Sequence, residues 1–242
     1  MIKSTYPSID ASIFEQSSSM NTGIDSILEL SKISSSAGVF TSRILIKFPL
    51  EEISASVASG KISNPSFYLN LYQSETSAIP RDYTLVCHPV SQSWANGVGR
   101  TVEPTKLNGV NREGVSWTYR NKQSDRIEYM PSKDLQWTSR SLHIDSEMIY
   151  SNVTGGGTWY KNYFGTQSFS GDSSDVRMDI TPVISYLLTG SRSNDGVILK
   201  RSGSQETNTD PYGNIKFFSR ETNTVYQPRL EMVYDDSTFN ST

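Results

Sequence analysis

The chain has little of what covalent or metal chemistry draws on. It holds one cysteine, Cys87, and two histidines, His88 and His143, in 242 residues. A single cysteine makes an intrachain disulfide impossible and excludes the frameworks of small disulfide-rich secreted domains. Two histidines without carboxylates at helical spacing give no zinc pattern. No apolar run approaches the roughly 20 residues of a membrane span, so no membrane insertion is expected. No basic block interleaves with aromatics, and the net charge is −3, so nucleic acid is not an expected partner. Long Ala/Leu/Glu/Lys helical runs are missing as well. Nothing resembling a signal peptide precedes the first strand-like segment, which reads as a protein made in a cytoplasm and not exported by a standard signal.

What is present favours strands. The composition is 35% hydrophobic, 11% aromatic and 19% charged, with abundant serine and threonine. A chain of this length buries about 70% of its unfolded surface and needs no disulfide to hold a core. Thr5 to Glu15 alternates weakly around Ala11 and Ile13, and Ile27–Ser31 reads as a short strand. Arg43–Phe48 is the first strong one, with Ile44, Ile46 and Phe48 on one face and Leu45 opposite. Phe67–Tyr72 and Tyr83–Val90 follow, then Val176 to Ile180, Val197–Lys200, Ile215–Ser219 and Arg229–Tyr234. A single short helix is expected over Val183–Leu188, with Thr181 as its N-cap, Pro182 at the first helical position and Gly190 past its end. Asn194-Asp195-Gly196 is a tight turn.

Residues 91–174 break this rhythm. The segment carries all four tryptophans and reads as a loop-rich insertion within one domain spanning 1–242. Gly155-Gly156-Gly157 has no strand-to-helix context for phosphate and reads as a flexible loop. The expected fold class is an all-β antiparallel sandwich, jelly-roll-like, with one short helix.

Several pieces recur together in one family. The N-terminal part offers Ile9-Asp10-Ala11-Ser12-Ile13, then Asn21-Thr22-Gly23, Ile27-Leu28-Glu29-Leu30 and Arg43-Ile44-Leu45-Ile46-Lys47-Phe48, with Trp94 after a long strand. The C-terminal part offers Asp179-Ile180-Thr181, Asn194-Asp195-Gly196-Val197-Ile198-Leu199-Lys200, Phe218-Ser219-Arg220-Glu221 and Pro228-Arg229-Leu230. Over roughly 5–95 and 175–235 the chain resembles the DNRLRE, or disaggregatase-related, family and its neighbour, an alginate-type carbohydrate-binding module family. The resemblance implies a β-sandwich that binds or assembles. Compact unsignalled chains of this style occur among virion structural proteins of tailed bacteriophages. That implies a non-enzymatic protein of the tail, baseplate, neck or surface decoration, located in the virion. Its implied partners are other virion proteins, further copies of itself as a homo-oligomer, and a host surface glycan. The alternative is a carbohydrate-binding module for a cell-surface or extracellular polysaccharide.

The candidate binding residues are aromatic: Trp94, Trp117, Tyr119, Trp137, Trp159 and Tyr160, with Tyr163 and Phe164 nearby. Exposed, they suit a protein interface or sugar stacking; packed inward, they are core beneath the insertion. Arg100, Arg112, Arg120 and Lys122 are basic companions for an acidic polysaccharide. No cofactor is expected except a structural Ca²⁺, for which Asp10, Glu29 and Asp175 are candidate ligands, with Asp172 and Asp179 beside the last. Cys87-His88 is a poor nucleophile–base pair, because neighbouring strand residues point to opposite faces. No nucleophile, base and orienting group come together in the sequence, so no catalysis is expected. Arg220-Glu221 and Arg229 read as an ion-paired corner of the sandwich.

Overall fold

Period-two alternation on both sides of a long sheet sets the architecture. A computed structural model describes residues 1–80, 82–101, 113–122, 135–137, 143–144, 147–151, 155–171 and 175–235. In chain order the elements are β1 (Ile2–Thr5), β2 (Ile9–Phe14), β3 (Ile27–Ser35), β4 (Gly38–Lys47), α1 (Glu51–Ala58), β5 (Ser63–Leu71), β6 (Gln73–Ser77) and β7 (Asp82–Pro89). The middle contributes β8 (Tyr119–Asn121), β9 (Leu135–Gln136), β10 (His143–Ile144), β11 (Glu147–Ser151), β12 (Thr158–Tyr160) and β13 (Gly165–Ser170). Then come β14 (Val176–Asp179), α2 (Thr181–Leu188), β15 (Val197–Arg201), α3 (Gly203–Thr207), β16 (Gly213–Phe218) and β17 (Arg229–Asp235).

The result is an all-β antiparallel sandwich. One sheet runs β1-β17-β5-β14; the larger runs β13-β7-β15-β4-β3-β16-β6, with β2 also on β4. Between them lies the main core. Phe67, Leu69, Leu71, Met178 and Leu230 from the smaller sheet meet Leu30, Ile44, Ile46, Leu85, Leu199 and Phe217 from the larger.

The edge of β4 is shared. Its first part pairs with β3 and its second with β2, Ile9 to Phe14 facing Lys47 to Ser42. Where β2 and β3 part, serine hydroxyls replace ladder bonds. Ser12 Oγ accepts from the Glu29 amide at 2.7 Å, and Ser42 Oγ accepts from the Ser31 amide at 2.7 Å and donates to the Glu29 carbonyl at 2.8 Å. Buried backbone groups need such partners, which accounts for serines inside a strand-rich core.

Several elements differ from expectation. The strand at Ile27 continues through Ser35, because β4 returns beside it and Ser34 and Ser35 pair with Val39 and Gly38. The one expected helix is joined by two others, α3 and, after β4, α1. Pro49 ends the strand before it, Glu51 and Glu52 sit in its first turn where the helix dipole favours anions, and Ile53 is buried. In α2 the residue Thr181 is already helical: its hydroxyl accepts from the Phe67 amide at 2.8 Å, and Asp179 Oδ1 takes the Thr181 amide at 2.9 Å. The expected cap therefore ties the helix to β5, and the carboxylate two residues earlier does the capping. Nor is the 91–174 segment only an insertion, because β13 pairs along β7 as an edge strand of the larger sheet.

Candidate functional site

The outer face of the larger sheet is also apolar. Ala11 and Ile13 on β2, Leu45 on β4 and Ile198 on β15 turn away from the main core and meet Val90, Trp94, Val115, Trp117, Trp137 and Trp159. These tryptophans are the lid of a second core. All four are buried, as is Tyr160, whose ring lies in the main core against Tyr186. They are packing residues, with no exposed stacking platform among them. Tyr119 is half-buried, with Lys122 over its ring at 5.2 Å. Arg120 donates to the Ser93 carbonyl at 2.9 Å. Arg112 and Asp172 lie outside the described residues.

Asn21 pins this lid to the sandwich. Its amide donates to the carbonyls of Asn96 and Val115, each at 2.7 Å, and its oxygen accepts from the amides of Gly99 and Gly23. The Asn-Thr-Gly signature is thus an interior anchor, with Gly23 pressed against the Asn96 carbonyl. Gly155, Gly156 and Gly157 are equally fixed. All three are buried with φ between 87° and 100°, and the Gly156 amide donates to the Trp117 carbonyl at 2.7 Å. The flexible-loop reading is corrected: glycine is required here by left-handed backbone and close approach.

Beside the second core the face becomes charged. Arg43 occupies the outward position next to Leu45, and its guanidinium lies 4.7 Å from the Trp117 ring and 5.1 Å from that of Trp159. Its Nε and Nη2 each reach Glu206 Oε1 at 2.7 Å, and Nη1 donates to the Gly156 carbonyl at 2.5 Å. Glu206 is carried on α3, a short helix without a large apolar side chain that is held by polar contacts. Lys32 Nζ donates to the Gln205 and Asn208 carbonyls, and the Thr84 amide donates to Gln205 Oε1. Lys200 Nζ stands 4.0 Å from Glu206 Oε1 and 5.3 Å from the Trp159 ring. Burial lowers Lys200 to about 8, more than Glu206 restores.

These groups border a cleft of about 500 Å³ whose walls include His88, Trp159, Lys161, Phe164, Lys200 and Glu206. His88 Nδ1 lies 3.1 Å from the Tyr163 carbonyl, and burial lowers it to about 4, so it is neutral at pH 7. Cys87 points the other way into the main core, and burial pushes its thiol above the ordinary range. The two neighbours face opposite sides of β7, as strand geometry demands. Sequence reasoning passed over Arg43, Lys200 and Glu206. The available signal was a charge placed inside two strongly apolar strands, Arg-Ile-Leu-Ile and Val-Ile-Leu-Lys.

The proposed Ca²⁺ ligands do not converge. Asp10 accepts from the Arg220 amide at 2.7 Å, Glu29 from Asn214 Nδ2 at 2.9 Å and Asp175 from the Gln73 amide at 2.7 Å. Among the described residues no three His, Cys, Asp or Glu side chains come together as a metal site. The Arg220–Glu221 pair is present at 3.5 Å, whereas Arg229 leaves that corner and lies over Tyr72 at 5.4 Å. Among the described residues no helix is long and apolar enough to cross a membrane. No family model matches the chain, and no curated protein matches it.

Proposed function

We propose that the protein is a non-enzymatic structural component of a tailed-bacteriophage virion, assembling through contacts with other virion proteins and with its own copies. The observation that carries this reading is an exposed aromatic cluster on the turn before β17. Val225 is 85% and Tyr226 49% exposed. Tyr226 packs on Tyr72 and Phe218 with ring centroids 5.4 and 5.7 Å apart. Exposed apolar patches mark interaction sites, and tyrosine is enriched where binding energy concentrates.

The turn is held in place before any partner arrives. Asp10 accepts from the Arg220 amide, and Gln227 Nε2 donates to the Arg220 carbonyl at 2.8 Å. Preorganisation of this kind lowers the entropy cost of docking. The motif resemblance supports the same reading. In a particle-assembly assay, the double variant Val225→Asp/Tyr226→Ala is expected to fold as the wild type does and to be lost from gradient-purified particles. Undiminished incorporation would sink the claim for this surface.

A second reading, a carbohydrate-binding module, draws on a groove of about 660 Å³ on the far side of the larger sheet. There Phe14 and Phe40 stand beside Ser17, Ser31, Thr41 and Glu29. Rings next to hydroxyls suit a neutral polysaccharide better than the buried tryptophans do. Phe40→Ala would then abolish retention on that polysaccharide; retention equal to wild type would count against it.

A further inference from the structure

We infer that the cleft bordered by Lys200, Lys161 and Phe164 is a binding site for a small monocarboxylate carried on a flat apolar body. The argument begins with charge. Among the described residues that line the cleft are three cations, Arg43, Lys161 and Lys200, and one carboxylate, Glu206. Arg43 already engages that carboxylate through two nitrogens, both on Oε1. The Lys200 ammonium is too far from Oε1, at 4.0 Å, for a hydrogen bond, and it donates to the Arg201 carbonyl at 3.1 Å. An ammonium has three donors, so its capacity exceeds its partners. Its side chain is only 10% exposed. Lys200 shares its one nearby carboxylate with Arg43, and burying a cation so weakly compensated is costly, a cost that an entering carboxylate offsets.

The walls define the rest of the ligand. Val86 and Trp159 floor the cleft and Phe164, half exposed, forms its rim. Apolar walls strengthen the attraction between Lys200 and an anion by lowering the local dielectric. The Phe164 ring offers a face for a planar group. The apolar walls favour a ligand with one small charged end over phosphate, whose oxygens are charged and hydrated all round. His88, neutral at pH 7, adds no charge of its own. This inference stands apart from the assembly surface, since the cleft and the turn at Val225 involve different residues.

The test is calorimetric titration of the full chain at pH 7 with benzoate, acetate and inorganic phosphate. Benzoate is expected to bind one to one, and more tightly than either of the others. Lys200→Met should weaken benzoate at least tenfold. Phe164→Ala, a change at a half-exposed position, should weaken benzoate toward the acetate value while leaving the melting temperature unchanged. Absence of benzoate binding by the wild type would overturn the inference. So would equal affinity in either folded variant, or phosphate binding tighter than benzoate.

Discussion

At Gly156 there is no room for a methyl group. A Cβ there would lie 2.4 Å from Arg43 Nη1 and 2.8 Å from the Trp117 ring, on a backbone with φ of +87°. Gly156→Ala combines backbone strain with overpacking, and should destabilise by about 2 to 5 kcal/mol in chemical denaturation. A change within about 0.5 kcal/mol, the range of ordinary surface substitutions, would contradict the packing described. Asp10 makes a different prediction. Burial, outweighing the Arg220 amide and guanidinium, raises its carboxyl from 3.8 to about 7. Below pH 3.8 both folded and unfolded chains hold the proton. As pH rises through the window to about 7 only the folded chain keeps it, so this group's contribution to stability is present at the acid end and is lost on the way up. Asp10→Asn, which keeps an acceptor for the Arg220 amide, should stabilise by roughly 2 to 4 kcal/mol at pH 8 and by little at pH 3.5. Equal effects at both pH values would refute it. Neither residue announces its role in the sequence: a triple glycine reads as a loop until its neighbours are known, and Asp10 becomes unusual only when the turn at Arg220 closes over it.

At the scale of elements, what the sequence disclosed follows period two. Ile44, Ile46 and Phe48, or Val176, Met178 and Ile180, share a face within a few residues, so their strands are legible without the fold. The second core is not, because it joins β2, β4 and β15 to tryptophans far away in the chain. Leu45 and Ile198 could be read as the weaker side of one-sided strands; both are fully buried because the sheet is covered on both faces. The same distance hides the cleft, whose Arg43 and Glu206 are 163 positions apart. Helix α1 left a fainter trace, with Ile53 and Val57 four residues apart after Pro49 and two glutamates. Asn21 carries the attachment of the lid. Asn21→Ala leaves two carbonyls and two amides short of partners, and should cost about 2 to 4 kcal/mol. Hydrogen exchange should quicken around Gly97 to Gly99 and spare the β5–β17 ladder. Uniform exchange across both regions would mean the lid does not open as a separate unit.

The whole molecule is a doubly cored sandwich that holds two unlike surfaces in fixed positions: the aromatic turn at Val225 and Tyr226, and the cationic cleft at Lys200. A stiff frame with a preorganised apolar patch suits repeated contacts in a symmetric assembly, where one patch is used many times. The most direct test of that role is antibody-gold electron microscopy on phage particles and the cells that make them. The account predicts gold at one recurring position on the particle, at the tail, baseplate, neck or decorated surface. Gold on cell surfaces or extracellular matrix, with particles left bare, would contradict it and make polysaccharide binding the leading explanation.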